Sequence, residues 1–355
     1  MSPGNLSDFA QSNQHIISLT TIATVTALIG AYLYYRKATA TVKIPKNWIR
    51  VARVKQLCVY PLKSGRRREL DSAECTKVGL SFTENNVELR DRYFIAYGED
   101  THEFRTARTF PKLVLIETSI NSNGDVVFTA PGQNPLIVKL PNSESKLTTV
   151  RLHNQAPVEA LDCGNEAGIW FSRFLLDKPF GIRLGYYRSQ FRRNIKKQFP
   201  KRFHAFTKLR VDSAVSALFL IYSTVHFIKK TEHESSIQAL NTELETPVTA
   251  NNFRGNIIVE SKYLKAYAEE DWDWVRIGDA IFKNVKPCTR CIFTTVDPET
   301  GTFSNHREPM KCLERINGLK EPAHINCEGK KGVMGIHLEL WKRGHIQVGD
   351  EVLIA

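Results

Sequence analysis

Cys288-Thr289-Arg290-Cys291 is the one compact arrangement of soft ligands in the chain. Thiolates at this spacing can build a zinc site, a redox-active pair, or a single sulfur ligand to a soft metal. A zinc site needs two further ligands, and the nearest cysteines, Cys312 and Cys327, each stand without a partner at short spacing. A thioredoxin-like pair opens a helix whose N-terminus lowers the thiol pKa, whereas this pair runs into an apolar stretch, Ile292 to Val296, that reads as a strand. Both readings lose ground to one thiolate at a strand start, binding a metal whose other ligands come from a cofactor.

The elements that must position this motif are mostly strands. Val51 to Tyr60, Tyr93 to Tyr97, Leu113 to Ile120, Val126 to Ala130 and Leu136 to Leu140 are rich in β-branched and aromatic residues, and Asn123-Gly124 signals a tight hairpin. One helix, Glu166 to Leu176, closes this half, with Asn165 placed to cap it and Trp170, Phe171, Phe174 and Leu175 as its apolar face. The second half reads as strands at Ala217 to Tyr222, Asn256 to Glu260, Ala280 to Phe282, Ile292 to Val296, Gly335 to Trp341 and Val348 to Ile354. A helix at Ser235 to Leu244 and a turn at Asp297 to Gly301 interrupt them. No G-x-G-x-x-G or Walker loop supports a nucleotide-binding domain of those types.

With 355 residues, 42% of them apolar and 24% charged, the chain can bury a substantial core. Its net charge of +12 favours acidic partners, and seven scattered cysteines indicate a reducing compartment. Ile16 to Tyr35 carries no charge; at about 1.5 Å per residue a helix of this length spans roughly 30 Å, a bilayer's hydrocarbon core. A cleaved signal peptide would have a basic start and a shorter apolar run, so an anchor is expected. Arg36, Lys37, Lys43, Lys46 and Arg50 follow it, which places the rest of the chain on the cytosolic side. From Arg188 to Arg210 the chain is strongly basic and has no acid. It reads either as a solvated loop or as a docking surface for an acidic partner or lipid headgroups, with nucleic acid unlikely for lack of a motif.

Val285 to Gly301, VKPCTRCIFTTVDPETG, resembles the signature of the MOSC domain. YPLKS (60–64), LRDRYF (89–94), TARTFPKLVLI (106–116), DCGNEAGIW (162–170), NNFRGNIIV (251–259), EEDWDWVRIGD (269–279) and the closing VGDEVLI extend the likeness in order, and it is strongest to the mitochondrial amidoxime-reducing components. The resemblance implies an α+β, β-rich fold: residues 1–15 a tail, 16–35 a transmembrane anchor, 36–50 a linker, 51–180 an N-terminal β-barrel-like domain and 181–355 a MOSC β-barrel domain. It further implies a molybdenum cofactor whose metal is bound by Cys291, with Cys288 a secondary neighbour. Lys63, Ser64, Arg92 and Arg254 match positions that contact the cofactor. Ser216 is a further candidate, but the stretch Val211 to Ser216 departs from the family pattern, which leaves Asp212 and Ser213 as alternatives.

The activity so implied is reduction of N-hydroxylated compounds such as amidoximes, hydroxylamines and N-oxides, with electrons from NADH through cytochrome b5 reductase and cytochrome b5. The implied location is the mitochondrial outer membrane; endoplasmic reticulum and peroxisome also suit the segment. Two other classes of function fit parts of the pattern. A non-catalytic cofactor carrier would hold the pterin without turnover, and a redox adaptor would cycle Cys288 and Cys291 as a disulfide.

Overall fold

The alternation in Ile49–Val59 puts Ala52 and Val54 inward while Arg53 between them stays in solvent, and this strand begins a closed ring. The computed structural model describes residues 43–142, 144–152, 157–187, 218–223 (backbone only) and 236–355. The expected anchor at 16–35, the basic run at 188–210, and Asp212, Ser213 and Ser216 lie outside them. Among the described residues no helix is long and apolar enough to cross a membrane.

We number the ring strands in chain order: β1 (Ile49–Val59), β2 (Leu218–Ser223), β3 (Ile257–Glu260), β4 (Trp274–Ile277), β5 (Ala280–Thr289), β6 (Val333–Lys342) and β7 (Glu351–Ile354). They pair in the order β3-β2-β6-β5-β4-β7-β1, and β1 pairs again with β3, so the sheet returns on itself. Every pairing is antiparallel except β2 with β3. Val54, Val259, Val275, Phe282, Ile336 and Val352 fill one apolar cluster from six of these strands. Each such side chain is worth about 1.5–3 kcal/mol when buried, so this shared core is what the closure secures.

Two further sheets build a second core. One orders strands Leu147–Val150, Val158–Asp162, Ile182–Tyr186 and Phe94–Gly98; the other is the meander Glu117–Ile120, Val126–Thr129 and Leu136–Val138. Helix α1 (Asn165–Leu176) packs on them through Trp170, Phe171, Phe174 and Leu175, the face expected from the sequence. Phe128 meets both Phe94 (5.2 Å between ring centroids) and Phe171 (5.7 Å), edge to face. The Asn123-Gly124 hairpin forms as expected, with Gly124 at φ 81°.

Four local expectations change. Ile292–Thr295 is a 3-10 turn rather than a strand, because the Thr294 and Thr295 hydroxyls donate back to the carbonyls of Cys291 (2.9 Å) and Ile292 (2.7 Å). Strand β5 instead runs on to Thr289 and takes in Cys288. Leu113 to Ile120 divides into a 3-10 turn, Pro111–Leu115, opened by its proline, and a shorter strand. The cap of α1 is Gly164, at φ 94°, while Asn165 accepts a hydrogen bond from Arg183 Nη1 (2.8 Å). Val348 to Ile354 breaks at Gly349 (φ 92°), which separates strand Gly344–Gln347 from β7.

A buried polar tie fastens the second core. The Asp162 carboxylate accepts from Tyr97 Oη (2.5 Å), from Arg183 Nε (3.0 Å) and Nη2, and from the Gly164 N–H (2.8 Å). Burial alone would raise the Asp162 pKa, but the hydrogen bonds from Arg183, Tyr97 and Gly164 outweigh it and hold it below its ordinary value. A carboxyl with a depressed folded-state pKa contributes stability that is present above its unfolded pKa and lost as pH falls through the folded one. Asp162→Asn is therefore expected to cost about 2–4 kcal/mol at pH 7. In urea melts the gap to the parent should narrow below about pH 4, near the unfolded carboxyl pKa; a gap independent of pH would refute the assignment.

Candidate functional site

Three connecting segments converge on the side of the ring strands away from the apolar cluster. The first leaves β1 at Tyr60, which is buried, donates its N–H to Asp91 Oδ1 (2.8 Å) and its hydroxyl to the Gly255 carbonyl (3.3 Å). The second enters β3. Thr249 and Asn252 cap each other across the 3-10 turn Ala250–Phe253, and Arg254 ends it at φ 55°. The third leaves β5 with Arg290 and Cys291.

Arg254 joins the three. Its guanidinium lies 4.0 Å from the centroid of the Tyr60 ring and 5.0 Å from that of Phe293, two residues beyond Cys291. Arg92 approaches the same Tyr60 ring at 5.7 Å, and its charge is paired with Asp91. One phenol thus carries two guanidiniums, each stabilised by the ring's negative face. Ser64 (φ 70°), Arg92 and Arg254 (both φ 55°) all hold left-handed backbone, a conformation that costs non-glycine residues energy and collects at ligand sites.

Arg290 fixes the Cys291 segment. It is buried, donates its backbone N–H to the Gly332 carbonyl (2.8 Å), and sends Nη1 to the Phe253 carbonyl (3.1 Å) and Nη2 to that of Met334. Gly332 has no room for a side chain, since a Cβ there would sit 2.6 Å from that of Leu313. Nearby, Glu328 at the end of a short helix (Pro322–Glu328) accepts from Lys286 Nζ (2.9 Å) and Thr289 Oγ1 (2.5 Å), tying that helix to the end of β5.

The two motif cysteines have different surroundings. Cys288 is buried in an apolar cluster with Leu240, Phe253, Cys312 and Met334, whereas Cys291 is half-buried and reachable. Among the described residues no group of three or more His, Cys, Asp or Glu could hold a metal on its own, so a metal at Cys291 needs ligands from outside this set. The residues fit an anionic, metal-bearing cofactor: a reachable thiol, a buried arginine beside it, and the Arg254 and Arg92 cations on Tyr60.

Arg92 and Arg254 are the expected binding residues that meet directly around Tyr60. Lys63 and Ser64 lie in the same connection, with the Lys63 N–H on the Phe94 carbonyl (2.8 Å), but the Lys63 ammonium stands 5.3 Å over the Phe104 ring and Ser64 is buried. Sequence reasoning missed Tyr60 and Phe293, whose neighbours gave no hint of a stacked arginine. A cavity of about 520 Å³ opens elsewhere, beside Cys163; of its charged groups Asp162 and Arg183 are paired with each other, and Lys139 and Lys146 are exposed. Burial pushes the Cys163 thiol up, with the Asp162 charge adding to it, which keeps the sulfur protonated.

Alkylation of the native protein lacking a cofactor, read by mass spectrometry, should label Cys291 roughly tenfold or more ahead of Cys288, because reaction needs an accessible thiolate. Equal labelling would mean the two sulfurs share one environment.

The MOSC N-terminal beta barrel domain family matches residues 51–178, and the MOSC domain family matches residues 231–353. Mitochondrial amidoxime-reducing component 1 of Mus musculus is 34% identical over 304 residues, covering 86% of this chain and 82% of the relative. Mitochondrial amidoxime reducing component 2 of Bos taurus is 34% identical over 306 residues (85% and 83%), and component 1 of Homo sapiens 31% identical over 353 residues (97% and 95%). These matches run through the segments that carry Tyr60, Arg92, Arg254 and Cys291, and the chain belongs to the MOSC-domain family of mitochondrial amidoxime-reducing components.

Proposed function

We propose that the chain is a molybdenum-cofactor oxidoreductase that reduces N-hydroxylated compounds such as amidoximes, hydroxylamines and N-oxides. The observation that carries this reading is the reachable, uncrosslinked thiol of Cys291 beside the cations stacked on Tyr60. Cys291 would bind the metal, and Arg92 and Arg254, with Lys63, Ser64 and Ser216 in support, would hold the pterin and its phosphate. When bound, the cofactor supplies two-electron chemistry that takes the oxygen from the N-hydroxyl group.

The chain's own residues do the rest. Stacking on Tyr60 and Phe293 orients the Arg254 guanidinium before any ligand arrives, so its ordering costs little on binding. The Arg290 bonds to the Phe253 and Met334 carbonyls keep the Cys291 segment from collapsing onto the neighbouring cluster. Residues 181–355 would supply Cys291, Arg254 and Ser216, and 51–180 the cofactor contacts at Lys63, Ser64 and Arg92.

Electrons would come from NADH through cytochrome b5 reductase and cytochrome b5, an acidic partner for a chain of net charge +12. The uncharged run at 16–35 would anchor the protein, most naturally in the mitochondrial outer membrane, with the folded part toward the cytosol.

In a host that makes the cofactor, the full chain should carry near-stoichiometric molybdenum and reduce benzamidoxime with a cytochrome b5 system. Cys291→Ala should lose both, while Cys288→Ala keeps most of each. Metal and pterin without turnover would favour a carrier, equal damage from the two substitutions would favour a disulfide-cycling adaptor, and no molybdenum would overturn the proposal.

A second expectation concerns docking. Neutralising Arg192, Arg193, Lys196 and Lys197 together should flatten the ionic-strength dependence of electron transfer from cytochrome b5, because screened long-range attraction is what salt removes. An unchanged salt dependence would exclude the 188–210 run as the docking surface.

A further inference from the structure

The segment that follows Cys291 is held by a core other than the one that holds its strand. Cys291 leaves the end of β5, a strand of the ring, yet Val296 is buried in the second core with Leu113, Val114 and Ile116, and Phe293 packs against the same cluster. Beyond Val296 the chain makes a stiff turn. Asp297 Oδ1 accepts the N–H groups of Glu299 (2.7 Å) and Thr300 (3.0 Å), the Asp297 carbonyl accepts that of Gly301 (2.9 Å), and Val296 bridges to Phe303. Gly301 is at φ 67°, and a Cβ there would stand 3.2 Å from the Leu115 side chain, so this turn rests on the 3-10 turn Pro111–Leu115.

At this turn Glu299 meets the segment that carries Lys63 and Ser64. Arg66 Nη2 reaches Glu299 Oε2, and Arg67 Nη1 reaches Oε1 at 3.5 Å, so each carboxylate oxygen has its own arginine. The other contacts of these arginines stay on their own side. Arg66 donates its N–H to the Ile116 carbonyl (2.8 Å) and has Nε 3.6 Å from Glu117, while Arg67 Nε donates to Glu69 (2.9 Å). Both arginines therefore have acidic neighbours without Glu299. What Glu299 adds is a tie between segments that lie 233 positions apart in the chain.

We propose that Glu299 is a positioning residue: held by Arg66 and Arg67, it fixes the turn after Cys291 against the turn of Lys63 and Ser64, and with it the spacing between two groups of cofactor contacts. This rests on the reading that Cys291, Lys63 and Ser64 serve one cofactor. Glu299 acts through the backbone and not on the cofactor. The path is short, because the turn continues back through Val296 to Phe293, whose ring faces the Arg254 guanidinium at 5.0 Å. The two arginine side chains are largely covered, at 28% and 21% exposed, but the carboxylate is half exposed. Such a tie adds little to global stability and weakens in salt. Positioning therefore shows itself as an effect on the site that exceeds the effect on unfolding.

The test uses the full chain loaded in a host that makes the cofactor, and follows release of the pterin after dilution by its fluorescence. At low ionic strength Glu299→Gln should release pterin about threefold to fivefold faster than the parent, the scale of a partly exposed ion pair. Adding Arg66→Met to Glu299→Gln should bring no further acceleration, because both substitutions remove the same tie. Added salt should narrow the gap between parent and variant. Thermal midpoints of the two proteins without cofactor should agree within about 2 °C, less than the shift that a 1 kcal/mol loss of stability gives a small domain. In the full chain made without the pterin, alkylation of Cys291 should be several-fold faster in Glu299→Gln, with Cys288 unchanged. Equal release, additive effects of the two substitutions, or a loss of thermal stability that matches the faster release would each overturn the proposal. If the parent binds no pterin, the cofactor reading fails by itself, and the alkylation rate then decides the tie: an unchanged rate at Cys291 refutes it.

Discussion

The pairing of β1 with β3 is the constraint on which the rest of the molecule depends. Arg53 faces Glu260 and Leu57 faces Ile257, so a strand near residue 50 must find one some two hundred positions later before the ring can close. Loop closure of that length costs entropy that only the completed core offsets, which makes this a high-contact-order fold. The same pairing brings the residue after β1 beside the residues before β3. Cys58 N–H donates to the Asn256 carbonyl (2.8 Å), Asn256 Nδ2 returns to Cys58 (3.1 Å), and Tyr60 arrives under Arg254. The candidate site is thus a product of sheet closure, assembled from segments that are distant in sequence.

Electrostatics at the site follows from this assembly. Arg254 and Arg92 share one aromatic plate, and Arg290 sends Nη1 and Nη2 to main-chain carbonyls. Asp91 and Glu328 offset part of the positive charge but each serves a single neighbourhood, Asp91 at the turn before Phe94 and Glu328 at the end of β5. Cations in such an arrangement are oriented in advance, so a ligand's negative charge meets donors that need little reorganisation.

Much of this was legible in the sequence, and the reasons are physical. Strands such as Ile49–Val59 and Val333–Lys342 announce themselves by β-branched content, and α1 by the spacing of Trp170, Phe171, Phe174 and Leu175. The turn at Ile292–Thr295 did not, because its apolar residues mimic a strand and what decides it, two threonine hydroxyls bonding to the backbone, is local competition that composition does not reveal. Short strands such as Arg68–Leu70 and Trp274–Ile277 carry too few residues for a period to show. Cys291 was legible from its motif, and Arg92 and Arg254 from theirs. Tyr60 takes its importance from neighbours across strands, which one-dimensional spacing cannot supply.

The ring also has a topological property. Strand β7 pairs with β1, which sets Ile354 opposite Ile49 and Leu353 opposite Arg50. The first and last strands of the folded unit are therefore laid side by side, and the path of the backbone through the ring is nearly a circle with one cut. The core requires that these strands be neighbours and not that the chain join them in this order. A short bridge from Ala355 to Asn47, with new ends opened in an exposed turn such as Asn123-Gly124, would preserve every strand neighbour while reversing which half of the chain is made first.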